Sequence, residues 1–338
     1  MEDLRFNSRS DQPRGMPAKL PPDSAPGPYY YDIFGMHLSA PVLIPGFLPV
    51  SPQPGVASIE IRFGNVPGSI SAVEYSDEAV QASSMECLFE LPGRLRFYVN
   101  PKEQIFAEKA EAMEASAFWG FLLGVSLSVI GLRRGYVPLH ASAVSADGTA
   151  VALAGQSGSG KSTTAAALIA LGYQPHADDL CLTRMGAGDA PTIGQGPAEL
   201  RLWDEAVGVL AWPESGRSAY VDNTSKAVYR LPPLSASDLT LRRIYALEFT
   251  DDTVRHGIHR LRGFDAMKIL MGCLRVRAGL ITPGLQRQLF ENLARIVGEV
   301  EVFRFSRPLD SRRVQFWTRH LADHIGAMTP QPTTGKPA

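Results

Sequence analysis

A glycine-rich loop motif near the middle of the chain constrains the fold more than any other feature of the sequence. Residues 155–162 read GQSGSGKS and match the pattern G-x-x-x-x-G-K-[ST]. An apolar run at 149–154 precedes the motif, and an Ala- and Leu-rich segment at 163–171 follows it and ends at Gly172. This order predicts a buried strand, a loop and a helix, which is the context that such a motif requires.

The motif predicts a site for the phosphates of ATP. Glycines give the loop the backbone torsions with which its N–H groups wrap phosphate oxygens. We expect Lys161 to reach the β and γ phosphates and the Ser162 hydroxyl to ligate Mg²⁺. The predicted ATP-binding residues are Gly155, Gln156, Ser157, Gly158, Ser159, Gly160, Lys161, Ser162 and Thr163. Many unrelated reactions use such a loop, so the reaction has to be read from other residues.

Composition excludes several classes of function. The 338 residues include 33 basic and 34 acidic side chains, so no overall charge favours nucleic acid or anionic lipid. Cys87, Cys181 and Cys273 have neither zinc-site nor disulfide spacing, which indicates reduced thiols. The polar, Pro-rich beginning of the sequence lacks the apolar stretch of a secretory signal. These features predict a cytoplasmic protein, and they are compatible with a homo-oligomer.

The most apolar run, at 117–132, is shorter than the roughly 20 residues that span a bilayer, and it contains Gly and Ser. We therefore expect a buried helix without stable membrane insertion.

Changes in composition predict five regions. Residues 1–27 are rich in Pro and charge and predict a disordered arm. Short apolar runs at 29–34, 58–63 and 95–99, separated by turn residues, predict a small β-rich module at 28–105. Helical periodicity from Glu103 predicts a connecting helix at 106–134. Alternating strand and helix patterns predict an α/β catalytic domain with a central mixed sheet at 135–325, followed by a flexible tail at 326–338.

Two adjacent carboxylates, Asp178 and Asp179, follow the loop motif after a single helix. On an extended segment, neighbouring side chains point to opposite faces, so the two residues can have different roles at one site. Phosphoryl transfer to an alcohol needs a carboxylate beside Mg²⁺ and a carboxylate that accepts the hydroxyl proton. The pair therefore favours a kinase.

A β-hairpin is predicted just before the loop motif. If Asp147-Gly148 forms its tip, Ala146 faces Thr149 and His140 lies opposite Gly155. A tip one residue earlier would instead place His140 opposite Leu153. In the first register the imidazole would lie beside the phosphates, whereas a lone histidine can also be structural.

The sequence resembles the catalytic domain of HPr kinase/phosphorylase, which combines a histidine hairpin, a loop of this type and an A-D-D strand. The matching residues are Leu139-His140-Ala141, residues 155–162 and Ala177-Asp178-Asp179. The resemblance implies an HPr kinase type of P-loop fold, with Asp178 as catalytic base and Asp179 as a magnesium partner. Glu199-Leu200-Arg201 resembles a later E-I-R segment of that family, which implies that Glu199 assists the metal.

A closer resemblance is to the stand-alone kinases encoded with lasso-peptide biosynthesis. It lies in Phe34-Gly35-Met36-His37-Leu38, in Arg201-Leu202-Trp203 and in Leu241-Arg242-Arg243. Those kinases phosphorylate the C-terminal serine of a precursor peptide, which implies a peptide or small-protein partner with an acceptor serine.

Three functions remain open at this point. A serine kinase would use Asp178 as base, and Lys161 with Lys226, Arg242 or Arg243 to stabilise the transferring phosphoryl group. The acceptor could be a peptide or an HPr-like carrier protein. A small-metabolite kinase would use the same loop and carboxylates. A nucleotide-gated binding module would use ATP only to change conformation.

Overall fold

The structure is a computed structural model that describes residues 28–197, 199–220, 226–231 and 238–327. The predicted disordered arm at 1–27 lies outside the described residues, and so does the predicted tail from residue 328 onward. Residues 326 and 327 belong to the last helix.

Short apolar runs broken by turns form the first sheet. Its strands are β1 (Tyr29–Ile33), β2 (Met36–Ala40), β3 (Ile59–Phe63), β4 (Tyr75–Ser76), β5 (Val80–Ala82), β6 (Cys87–Leu91), β7 (Leu95–Val99) and β8 (Ile105–Lys109). They pair in the order β1-β2-β3-β8-β7-β6-β5-β4. Strands β1, β3 and β7 lie at the three apolar runs from which strands are predicted, so those predictions are confirmed.

The predicted start of the connecting helix is wrong. Residues 105–109 form strand β8, which pairs with β3 on one side and β7 on the other. Ile105 and Ala107 are buried and Phe106 between them is partly exposed, which is the alternation expected of a strand. Helix α1 begins only at Ala115 and ends at Arg133.

Helix α1 is largely buried, as its apolar sequence predicts, because both sheets pack on it. In the described part of the chain, no helix combines the length and apolar character that crossing a membrane requires.

The remaining elements alternate between strands and helices. The strands are β9 (Val137–Leu139), β10 (Ala141–Ala146), β11 (Thr149–Ala154), β12 (Gln174–Ala177), β13 (Cys181–Met185), β14 (Pro191–Ile193), β15 (Glu199–Trp203), β16 (Arg217–Tyr220), β17 (Lys226–Arg230), β18 (Leu239–Phe249), β19 (Gly257–Leu261) and β20 (Glu301–Arg307). The helices are α2 (Lys161–Ala170), α3 (Asp204–Leu210), α4 (Gly263–Met271), α5 (Pro283–Glu299) and α6 (Val314–Ala327).

The second sheet is mixed, as predicted. Its strands run in the order β12-β10-β11-β18-β14-β13-β9, and β20 pairs with both β18 and β19. Strand β18 runs parallel to β11 and to β20, whereas β10 and β11 form an antiparallel hairpin. A small third sheet has the order β15-β17-β16. The fold is therefore mixed α/β, with the carboxyl ends of β11, β18 and β20 at one edge.

One hydrophobic core joins the first sheet to the second. Buried residues of the first sheet, such as Phe97, belong to the same cluster as Leu122 of α1, Leu182 of β13 and Leu293 of α5. The backbones also approach closely, because a Cβ added at Gly194 would lie 2.5 Å from the carbonyl carbon of Phe34. The division into a β-rich module and a catalytic domain at residue 135 stays a prediction, and the two sheets share their interior.

Candidate active site

The glycine-rich loop joins β11 to α2 in the predicted order. Strand β11 ends at Ala154 and helix α2 begins at Lys161, so the predicted strand and helix are confirmed. Gly160, directly before the helix, has a left-handed backbone with φ of 81°. A side chain there would also meet the guanidinium of Arg307, whose Nη2 lies 2.7 Å from the position of a Cβ. Both facts explain glycine at this position.

Lys161 is buried against the loop from which it comes. The residue is 6% exposed, and its Nζ donates a hydrogen bond to the Gln156 carbonyl oxygen at 2.8 Å. Burial lowers the pKa of Lys161 to about 8. An ammonium group held inside such a loop at the start of a helix is the arrangement that binds phosphate.

The hairpin before the loop adopts the first of the two predicted registers. Ala146 pairs with Thr149, and the Gly155 N–H donates to the His140 carbonyl oxygen at 3.3 Å. The His140 Nε2 lies 3.4 Å from Asp179 Oδ1. Burial lowers the pKa of His140, although the contact with Asp179 opposes this shift.

Asp178 and Asp179 do not lie on an extended segment, contrary to the prediction. They occupy a bend between β12 and β13, and Asp179 has a left-handed backbone with φ of 70°. The bend nevertheless sends the two carboxylates to different partners, and their different roles stay a prediction.

Asp178 accepts hydrogen bonds on both carboxylate oxygens. Its Oδ1 receives the Ser142 hydroxyl at 2.6 Å and the Ser162 hydroxyl at 2.9 Å. Its Oδ2 receives the Arg201 backbone N–H at 2.9 Å. The side chain is buried, next to the hydroxyl that is predicted to ligate Mg²⁺.

Asp179 lies beside one histidine and two arginines. Besides His140, its carboxylate pairs through Oδ2 with Arg201 Nη1 and Arg275 Nη2, both at 3.1 Å. Burial alone would raise the pKa of Asp179, but the histidine hydrogen bond and the two arginine charges hold it well below its ordinary value. Asp179 is therefore a stable carboxylate with little tendency to take up a proton.

Several of these residues, but not Asp178, line a cavity of about 560 Å³. Its lining combines polar groups, among them Lys161, Ser162, His140, Asp179 and Arg275, with apolar side chains, among them Val209, Phe249, Phe305, Val314 and Trp317. Gly155, Gln156 and Ser159, which are also predicted to bind ATP, line a neighbouring cavity of about 680 Å³. A lining with both charged and aromatic side chains suits a ligand that carries phosphates on an aromatic base.

Arg242 and Arg243 are not brought to this site. Arg243 is buried near the start of β18, where its Nε pairs with Glu301 at 3.1 Å and its Nη1 donates to the Ile325 carbonyl oxygen at 2.9 Å. Arg242 is exposed on the same strand. Lys226, in contrast, lines the cavity.

Glu199 is likewise absent from the cavity lining. Its carboxylate packs against Gly46, and burial raises its pKa. Its predicted role as a metal ligand has no geometric support from this placement.

Three arginines that contact the loop or Asp179 are not predicted as site residues from the sequence. Arg201 lies in the Glu199-Leu200-Arg201 segment, in which only Glu199 has a predicted role. Arg275 and Arg307 lie far along the chain in segments without a recognisable motif. Ser142, two positions after His140 on the hairpin, was missed too. The one signal for it in the sequence is its position in the predicted hairpin, close to His140.

The polar groups of the cavity lining fit Mg²⁺ held partly by phosphate oxygens. Among the residues with described placement, no group of three or more His, Cys, Asp and Glu side chains is arranged to hold a metal ion. Magnesium in nucleotide sites uses one or two protein ligands together with phosphates, so a complete protein cage is not required. The Ser162 hydroxyl, which donates a hydrogen bond to Asp178, provides one such protein ligand.

Comparisons with protein-family models and with curated proteins find no match. A comparison with solved structures finds the Hpr(Ser) kinase/phosphatase from Coxiella burnetii, at 12% identity and a TM-score of 0.30. The match covers 56% of this chain and 92% of that chain. A likeness this weak carries no argument about activity.

Raising the pH from 7 to 9 is expected to weaken ADP binding about tenfold. Phosphate binds the protonated form of Lys161, and this form is lost as the pH rises through the pKa of about 8. Titration calorimetry at both pH values measures the effect, and Lys161→Met should bind weakly at both. Equal affinity of the wild type at pH 7 and pH 9 would contradict the assignment.

Proposed function

We propose that this chain is an ATP- and Mg²⁺-dependent kinase that phosphorylates a serine hydroxyl of a peptide. The observation that carries the proposal is the hydrogen bond between Ser162 of the loop and Asp178, beside the buried Lys161. Phosphoryl transfer to an alcohol needs a loop that binds phosphate, a cation and a carboxylate that accepts the proton. The loop, Lys161 and Asp178 provide these three groups.

The reaction forms a bond between the serine oxygen and the γ-phosphorus of ATP. The bond from that phosphorus to the oxygen bridging to the β-phosphate breaks, and ADP leaves with the electron pair. The serine proton passes to Asp178, which already accepts two hydroxyl hydrogens on Oδ1. Bound Mg²⁺ would neutralise charge on the phosphates.

Positive side chains line the cavity. Lys161 lies at the loop, and Arg201 and Arg275 pair with Asp179. Arginine side chains held on a carboxylate are fixed in position before the reaction, which is what electrostatic stabilisation of a transition state requires. We assign to Arg201 and Arg275 the role that the sequence suggested for Arg242 and Arg243.

The proposed substrate is a peptide that ends in serine, as in a lasso-peptide precursor, in the cytoplasm. Beyond the resemblance of the sequence, two cationic side chains of the cavity lining support it. Arg275 is 42% exposed, and Lys226 lines the same cavity. Cationic groups in the lining suit the free carboxylate that a C-terminal serine carries next to its hydroxyl.

The test is transfer of label from [γ-³²P]ATP with Mg²⁺ to a synthetic peptide ending in serine. Matched peptides end in alanine or in a serine amide, and an HPr protein and a pool of small metabolites serve as other acceptors. Label only on the peptides that end in serine supports the proposal, with the free acid preferred over the amide. Labelled HPr or labelled metabolites would identify the other kinase functions. ATP binding without transfer to any acceptor would overturn the kinase assignment.

A further inference from the structure

Arg307, the last residue of β20, lies against the glycine-rich loop. The residue is 6% exposed, and its Nη2 donates to the Ser159 carbonyl oxygen at 2.9 Å and to Thr164 Oγ1 at 3.3 Å. Its guanidinium carbon lies 4.6 Å from the ring centre of Phe249 and 5.2 Å from that of Phe305. These contacts fix the guanidinium between two aromatic rings and the first turn of α2.

The positive charge of Arg307 has no counter-ion in the described part of the chain. Burial lowers its pKa to about 10, without an opposing contribution from a carboxylate, so the group is charged at neutral pH. Its Nη1 is buried without a hydrogen-bond partner among the described residues, and the same is true of Ser159 Oγ. Buried arginines are normally paired, because an unpaired charge in the interior is costly.

We propose that Arg307 binds the polyphosphate group of the nucleotide, as a second cation of the loop beside Lys161. The inference rests on the nucleotide binding in the proposed function. Arg307 lines the same cavity as Lys161, Ser162 and Thr163. An anion in that cavity would compensate the buried charge. A base or a ribose offers no charge, so the contact selects for phosphate groups.

Calorimetric titrations with ADP, inorganic tripolyphosphate and adenosine test the inference on the wild type, Arg307→Met and Arg307→Lys. We expect Arg307→Met to bind ADP and tripolyphosphate about tenfold more weakly or worse, and Arg307→Lys to lose less. Weak binding of adenosine should not change.

The matched control is Arg133→Met. Arg133, on α1, also has buried nitrogen atoms without partners in the described structure, but it lies outside this cavity. Its variant should bind ADP like the wild type.

The outcomes separate the two proposals. A wild type that binds neither ADP nor ATP refutes the proposed function itself. A wild type that binds ADP, with a folded Arg307→Met that binds it within about twofold of the wild type, overturns the role of Arg307.

If Arg307→Met does not fold, NMR of arginine Nε–H groups in the wild type decides. Tripolyphosphate, but not adenosine, should shift one protected signal that is absent from the Arg307→Lys spectrum. If tripolyphosphate leaves that signal unmoved, the inference fails.

Discussion

Asp178→Asn is expected to lower kcat for phosphoryl transfer by about 10²–10⁴-fold, the range for loss of a general base, while ADP binding stays close to that of the wild type. The amide keeps the shape of the carboxylate but cannot take up the serine proton. One of its atoms also becomes a donor where Ser142, Ser162 and the Arg201 N–H all donate, so we expect a lower melting temperature as well. Steady-state kinetics with labelled ATP, calorimetry with ADP and thermal unfolding measure the three effects.

Two controls separate loss of the base from disturbance of its surroundings. Ser142→Ala removes one donor from Asp178 and keeps the carboxylate, so its kcat should fall far less. Asp189→Asn changes an aspartate whose side chain is 83% exposed and pairs with Arg295, so its kinetics should match the wild type. Wild-type kcat in a folded Asp178→Asn protein would remove Asp178 from the role of base.

Lys161→Met is expected to lower kcat/KM by about 10²–10³-fold or more and to raise the melting temperature of the nucleotide-free protein. Methionine fills the same space without charge. At pH 7 Lys161 is protonated in both the folded and the unfolded chain, because its folded pKa of about 8 and its ordinary value of 10.5 both lie above 7. The cost of burying the charge is therefore fully present at pH 7, and the substitution removes it.

Lys109→Met provides a matched control for this combination of lower kcat/KM and higher melting temperature. The Lys109 Nζ also donates to backbone carbonyl oxygens, those of Met113 at 2.6 Å and Ala110 at 3.0 Å, but the residue lies in the first sheet. Its substitution should lower stability and leave kcat/KM unchanged. A Lys161→Met protein with wild-type kcat/KM, or one that is strongly destabilised, would contradict the view that this charge is retained for phosphate.

The local parts of the site were predictable from the sequence because neighbouring residues determine them. The strand, loop and helix around Gly160 follow from apolar runs and glycine positions. The hairpin register that places His140 opposite Gly155 follows from a two-residue turn at Asp147-Gly148. In both cases the contacts join residues close together in the sequence.

Pairing between distant strands determined the rest, and no local pattern encodes it. In β18, Arg243 pairs with Val151, on the strand before the loop, whereas Phe249 at the other end pairs with Arg307. Parallel strands place their carboxyl ends at one edge, so Arg307 reaches the loop and Arg243 does not. The wrong prediction at β8 has the same origin, since pairing with its two partner strands overrides the helical periodicity that begins at Glu103.

The shared interior of the two sheets limits how this chain can be divided. Leu139, directly before His140, is completely buried in the cluster that also contains residues of α1 and of the first sheet. Cutting the chain ahead of Tyr136 would expose the apolar surface of β9 and α5 to water and loosen the segment that holds the histidine. The proposed phosphate chemistry thus depends on the integrity of residues 28–135, although the glycine-rich loop and the acidic pair lie outside them.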